Sequence, residues 1–495
     1  MKKINKRLRL ISGGFLLMVL SYLFAFKKPI AEPIHPKHPN LLIIIADQWR
    51  GQALGFEKKE PVETPVLDVL ASSSFVMQQM VSNYPLCSPA RAMLLTGMYP
   101  LKNHVYSNAN SASAADGVEL SASSICWSDV LKANGYCNGY IGKWHLDSPH
   151  EPYVPTSNNV GDIAWNEWTS PARRHGFDYW YAYGTYDVHN KPMYWDTKAS
   201  RDSFHYVAEW GPQHEADKAI AFLKNSEKIR DSHKPFSLVV SMNPPHTDYE
   251  TVPKKYQQRY ENIPLDSFLK DPNIPPANTA MGKEYRNNIR YYYANITGVD
   301  EQIGRILTAL KETHLDNNTL LIFMSDHGNC LGKHQEITKN NIYEESVRIP
   351  MIVYWKGHIK ARLDNVFLGS LPDLYPTILD LMGFKTAIPT NIDGRSYASY
   401  FKTGEGERPS EQYIMGAILD KPEKLYTGFR SIRTAEYKLA YVNSKGKKLP
   451  YFYDLTVDPY EMKNIYAAQD SRVIKMKNQL LSWLKKTKDP FDIEN

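Results

Sequence analysis

Three apolar runs punctuate the chain, and each stops at polar residues: NLLIIIADQ at Asp47 and Gln48, PFSLVVSMNPPH at His246, and NTLLIFMSDHG at Asp326 and His327. Short continuous runs of this kind read as strands buried on both faces. Helical spacing of apolar residues precedes the second and third, in EADKAIAFLKN and GVDEQIGRILTALKE. Such alternation predicts an α/β protein with a large, mostly parallel mixed sheet flanked by helices. Sites in these sheets gather where the strands end, so the pattern directs Asp47, Gln48, His246, Asp326 and His327 toward one rim. A shorter strand is read at 139–142 in GYIGKWHLD; Lys143 and His145 follow it and, two residues apart, are predicted to share a face.

Further along, LGSLPDLYPTILDLMG has helical spacing and a stop at Gly383, and DGRSYASYF leads into the polar stretch KTGEGERPS. A boundary falls there, separating a larger unit, 38–395, from a smaller C-terminal α+β subdomain, 396–495. Strands are read in FRSIRTAEYKLAYV and YFYDLTVDPYEMKNIY, and a last helix from about 471 to 486. With 495 residues, of which 42% are hydrophobic, the chain can bury a large core and exceeds one average domain.

Charge narrows the function classes only a little. The 59 basic and 53 acidic residues are mixed along the chain, and a net charge of +6 gives no support to nucleic-acid binding. The N-terminus is different: MKKINKRLRL is basic, and residues 10–26 are apolar before Lys27 and Lys28. Residues 1–31 therefore read as an export signal, either cleaved or kept as a membrane anchor, and the body is expected in the periplasm or outside the cell. The cysteines, Cys87, Cys126, Cys137 and Cys330, have neither CxxC nor metal-finger spacing. Buried free thiols are favoured over a Cys126–Cys137 bond.

One cysteine has a suggestive setting. In CSPARAMLLTG, Ser88 suits an N-cap, Pro89 the first helical position and Gly97 the residue past the end, which places Cys87 at a helix mouth that favours anions. Together, CSPAR followed by TG, with ADQ upstream and GKWHL, NPPH, SDHG and KNNIYEESVRIP downstream, resemble the type I sulfatases of the alkaline phosphatase-like superfamily. The motifs match in order across nearly the whole chain after its leader. The resemblance implies an alkaline phosphatase-like sandwich and hydrolysis of sulfate esters. It also implies that a maturation enzyme oxidises Cys87 to formylglycine. A hydrated aldehyde is a geminal diol, so one hydroxyl can attack sulfur while the second later expels sulfate.

By the same resemblance, Asp47, Gln48, Asp326 and His327 hold one divalent cation together with the modified Cys87. Arg91 binds the diol or the ligand oxygens, Lys143 and Lys339 clamp the sulfate, His145 is the base for the second hydroxyl, and His246 is the acid for the leaving oxygen. Two positions depart from the commonest pattern, which has Asp-Asp at Asp47-Gln48 and Asp-Asn at Asp326-His327. Ca2+ remains the family expectation, whereas an imidazole ligand fits Mn2+ or Zn2+ better. The same variants occur in related phosphonate and phosphate diester hydrolases, which keeps that alternative open, as does a sulfated-glycan binder whose Cys87 is never oxidised.

The substrate is expected to be a sulfated carbohydrate, with sulfate on galactose, N-acetylgalactosamine or N-acetylglucosamine. Residues 165–210 hold thirteen aromatics, about twice the chain average, and aromatic faces stack on sugar rings. Most of these aromatics are read as core. Arg174, His175 and His189 in the same segment are candidates for contact with hydroxyls or a second acid group.

Overall fold

The computed structural model describes residues 38–185, 188–417, 427–444 and 446–494. The leader, 1–31, lies outside the described residues; among those described, no helix is long and apolar enough to cross a membrane. Residues from Lys37 to Asn495 make up a single compact unit.

The three apolar runs are strands, as their pattern predicts. They are β1 (Asn40–Ala46), β7 (Phe236–Met242) and β8 (Thr319–Ser325), and the shorter predicted strand is β3 (Cys137–Lys143). The same sheet contains β2 (Phe75–Met77), β4 (Tyr179–Tyr183), β5 (Met193–Asp196), β6 (His205–Tyr206), β9 (Met351–Tyr354) and β10 (Arg362–Asp364). Its order is β10-β2-β9-β8-β1-β7-β3-β4-β5-β6. At its centre β8, β1, β7, β3 and β4 run parallel, while β9, β5 and β6 pair antiparallel with their neighbours. The parallel register sets Ala46 beside Met242 and Ser325, so the polar residues that follow emerge along one edge.

Both faces of this sheet are covered. Along β1, Leu41, Ile43 and Ile45 point into one apolar cluster and Leu42 and Ile44 into the other, the two-residue alternation of a strand. Helix α1 (Cys87–Thr96) and α4 (Leu371–Leu381) pack on the first face; α2 (Gly211–Lys224) and α3 (Ala280–Glu312) pack on the second. Burial of side chains at roughly 1.5 to 3 kcal/mol each makes these two layers the main source of stability.

A second, antiparallel sheet contains β11 (Gln412–Gly416), β12 (Gly428–Arg433), β13 (Tyr437–Ser444) and β14 (Lys447–Asp454). The last helix, α5 (Ser471–Thr487), buries Val473, Met476, Leu480 and Leu484 in the same cluster as α1 and α4. The C-terminal elements thus share a core with the large sheet. All four cysteines are free thiols, so Cys126 and Cys137 are not bridged.

Candidate active site

Helix α1 begins two residues earlier than its sequence suggests. Ala90 donates to the Leu86 carbonyl, Leu86 is the N-cap, and Cys87 is the first helical residue. Ser88 does not cap. Its backbone N–H is taken by Asn108 Oδ1, and its hydroxyl donates to the His145 carbonyl at 2.6 Å and accepts from Ala109 N. Pro89 sits at the third helical position, where an N–H has no intrahelical acceptor and its loss is harmless. Gly97 ends the helix at φ +67°, as predicted.

Arg91, one turn after Cys87, gathers the sheet edge around this helix. Its guanidinium donates to Asp47 Oδ2 (3.1 Å), Asp326 Oδ2 (3.0 Å), the Lys143 carbonyl (2.6 Å) and Ser241 Oγ (2.8 Å). Those four partners stand at the ends of β1, β8, β3 and β7, neighbours in the sheet. One planar cation therefore ties four strand ends, a task the single-headed Lys could not perform.

Four of the predicted residues converge around the Cys87 sulfur. Lys339 Nζ lies 3.2 Å from Sγ, Lys143 Nζ 3.9 Å, His327 Nε2 3.3 Å and Asp47 Oδ1 3.9 Å. Lys143 also pairs with Asp47 Oδ2 at 2.7 Å and donates to Asn243 Oδ1. Gln48, at φ +66°, presents its amide oxygen to Lys339 at 2.7 Å and its amide nitrogen to Tyr249. His246 occupies the half-buried turn after β7, its Nδ1 3.0 Å from the Thr247 carbonyl.

His145 reaches the site differently from its strand prediction. The strand stops at Lys143, and His145 turns back at φ +55° while Trp144 is buried between them. Its Nε2 donates to the Ala109 carbonyl (3.2 Å), and its buried Nδ1 is left without a partner.

The electrostatics distinguish Cys87 from the other buried thiols. Burial pushes Cys126 and Cys330 well up. At Cys87 burial also pushes up, but the ammonium groups of Lys143 and Lys339 oppose it and the thiol is held well below its usual range. For Asp47, burial and Cys87 push up, and Lys143, His246 and Lys339 overcome them. Burial, with Lys143 alongside, lowers His145 and keeps it neutral.

Asp47, Cys87, Asp326 and His327 offer ligand atoms within 4.8 Å of one another, all buried. His327 Nδ1 donates to the Gly328 carbonyl at 2.9 Å, so in the neutral ring Nε2 presents a lone pair. That lone pair faces Asp47 Oδ1 at 3.5 Å and Asp326 Oδ1 at 3.6 Å, acceptors against an acceptor. A cation among them resolves the conflict, and two carboxylates with one imidazole suit a divalent metal.

Two candidates from the aromatic segment, Arg174 and His175, make contacts away from Cys87. Arg174 donates to the Thr169 and Thr197 carbonyls and lies over Trp180, His175 meets Asp129, and Arg174, His175 and His189 are all buried. Conversely, Ser88, Ser241, Asn243 and Tyr249 support the site without having been anticipated. Ser241 and Asn243 carried a signal, since both lie with the end of the run PFSLVVSMNPPH.

The helix that carries Cys87 and the strand ends drawn to it form one buried, charged site on the rim of this doubly covered sheet. Residues 39–384 match the Sulfatase family, and the chain is a member of it, a sulfuric ester hydrolase. Residues 332–489 match N-sulphoglucosamine sulphohydrolase, C-terminal. The chain is 38% identical to the Endo-4-O-sulfatase of Bacteroides thetaiotaomicron, over 94% of this chain and 95% of that one. It is 31% identical to the Ulvan-active sulfatase of Formosa agariphila, over 88% and 79%. Among solved structures, yidJ of Bacteroides fragilis, assigned as a sulfatase, superposes with a TM-score of 0.87 at 48% identity, covering 94% of this chain and 98% of that one.

Proposed function

We propose that the protein removes an O-sulfate from a sugar of a sulfated glycan, outside the cytoplasm, using formylglycine at position 87 and one Ca2+ ion. The observation that supports this most is the convergence on Cys87 Sγ of two ammonium groups and the carboxylate–imidazole cluster. The relatives named for endo-4-O-sulfate and ulvan favour a glycan, and put a 4-O-sulfate first among the esters to test.

Asp47, Gln48, Asp326, His327 and the modified position 87 would hold the cation, which lowers the pKa of a nucleophilic hydroxyl and neutralises sulfate charge. Formylglycine in its hydrated form supplies one hydroxyl to attack sulfur and a second whose deprotonation re-forms the aldehyde and expels sulfate on the first oxygen. The chain's own groups do the rest. Lys143 and Lys339 flank position 87 and bind the non-bridging sulfate oxygens, offsetting charge where it accumulates. Arg91 fixes Asp47 and Asp326 in place. His145 accepts a proton at Nδ1, the nitrogen left open by the Ala109 bond. His246, on the half-buried rim, gives a proton to the departing sugar oxygen, a poor leaving group without it.

The test is a panel of defined sulfated mono- and disaccharides with matched phosphate esters, using protein produced with a formylglycine-generating enzyme. Sulfate release from a sugar sulfate is expected, lost on chelation and restored by Ca2+, together with mass spectrometry showing an aldehyde at residue 87. Phosphate release alone would favour the phosphonate or phosphodiester reading. A thiol at residue 87 in fully active protein would refute the formylglycine step.

A further inference from the structure

Among the described residues of the aromatic segment, Trp165 approaches the site through His145. Of its rings, Phe177, Trp180, Tyr183, Tyr194, Trp195 and Trp210 are buried. Trp165 is only partly buried, and its ring lies 6.2 Å from that of His145, tilted by 60°. His145 in turn faces position 87. A partly exposed indole beside His145 leaves an aromatic face free to take up a ligand.

The backbone that carries this ring is held on both sides. Ser111 N donates to the Ala164 carbonyl, and Ala164 N donates to Ser111 Oγ. Asn159 Oδ1 accepts from the N–H groups of both Trp165 and Asn166, while Asn159 Nδ2 returns a bond to the Asn166 carbonyl. Asn166 Oδ1 takes Thr185 N, and Ala164 and Asn166 are themselves buried. Ser111 begins a short helix capped by Asn110, next to Ala109, whose carbonyl holds His145 and whose N–H is held by Ser88. Trp165, His145 and the helix of Cys87 are therefore fixed to one hydrogen-bonded frame. The backbone at Trp165 is held in place while its ring stays partly exposed.

We propose that Trp165 is the stacking surface for the pyranose ring beside the scissile sulfate, and so a specificity-determining residue. This rests on the glycan reading above. A pyranose presents a flat C–H face that suits an indole, whereas its hydroxyl edge is left for polar groups. The stack adds affinity that is the same before and during reaction, so its loss is read in KM rather than kcat. A residue that only positioned His145 would act the other way, lowering kcat and shifting the pH profile.

The probe is a 4-O-sulfated N-acetylgalactosamine disaccharide, with the other sugar sulfates of the panel as substitutes if it is not cleaved. Trp165→Ala should raise KM about tenfold with kcat and its pH profile unchanged; Trp165→Phe should restore most of the affinity and Trp165→Leu, apolar but not flat, should not. An unchanged KM in Trp165→Ala, or equal rescue by Leu and Phe, would overturn stacking. So would a loss confined to kcat with a displaced pH profile, which would make Trp165 a support for His145. A wild type that cleaves no sugar sulfate at all overturns the glycan reading itself, a result visible before any variant is compared. Circular dichroism of each variant separates these outcomes from misfolding.

Discussion

Glu215 shows how a residue outside the reaction still sets the terms for the protein. It lies on α2 with no exposed surface, and its Oε1 accepts from the hydroxyls of Tyr183 (3.1 Å) and Tyr194 (3.2 Å). Burial, only partly opposed by the two tyrosines, pushes its carboxyl from 4.5 up to about 8. An unfolded chain ionises near 4.5, so between that pH and about 8 the folded state holds a proton that the unfolded state has lost. Stability therefore falls as pH rises through this window and levels off above it. Glu215→Gln keeps an acceptor for both tyrosines and cannot ionise. Urea midpoints should match wild type at about pH 5 and exceed it at about pH 9, a difference of some kcal/mol. Parallel pH curves for the two proteins would show that Glu215 is ionised when folded.

At the scale of elements, a single carboxylate closes the C-terminal subdomain. Asp489, just past α5, accepts from Arg430 Nε on β12 (2.6 Å) and from the Tyr413 hydroxyl on β11 (2.5 Å). Arg430 and Asp489 side chains are both fully buried. Asp489→Ala strands the guanidinium in the interior and should cost about 3 to 5 kcal/mol, whereas Arg430→Met with Asp489→Leu should recover much of it. Urea unfolding of the three proteins checks this; a loss below about 1 kcal/mol for the single variant would mean that water reaches the arginine. The central strands were legible in the sequence because β1, β7 and β8 are apolar on both faces. So was α5, whose apolar positions recur with helical period. The outlying strands β2, β5, β6, β9 and β10 were not, because they are short and their pairing is set by tertiary contacts. The same reason hid the true start of α1. Ser88 has the chemistry of a cap, and only the approach of His145 and Ala109, from elsewhere in the chain, draws its hydroxyl away.

Over the whole molecule, the sheet turns a linear pattern into a site. Asp47, Asp326, Lys143 and the turn bearing His246 follow four adjacent parallel strands, and Arg91 draws their ends together from the helix that carries Cys87. These residues were readable because each stands where an apolar run stops. The supports were not: Glu215, Tyr249 and the Ser111–Ala164 frame acquire roles only through long-range packing. Nor were the contacts of Arg174 and His175, since charge and aromatic context alone do not reveal which partners a buried side chain meets. Everything in the site is arranged about the side-chain atom of position 87, so the central claim is tested there. The measurement is inorganic sulfate released from the 4-O-sulfated disaccharide by wild type and by Cys87→Ala, both produced with the maturation enzyme. Wild type should release sulfate with turnover, and the variant, equally folded by circular dichroism, should fall to the uncatalysed rate. Equal release by the two proteins would contradict the assignment of Cys87 as the centre of the reaction.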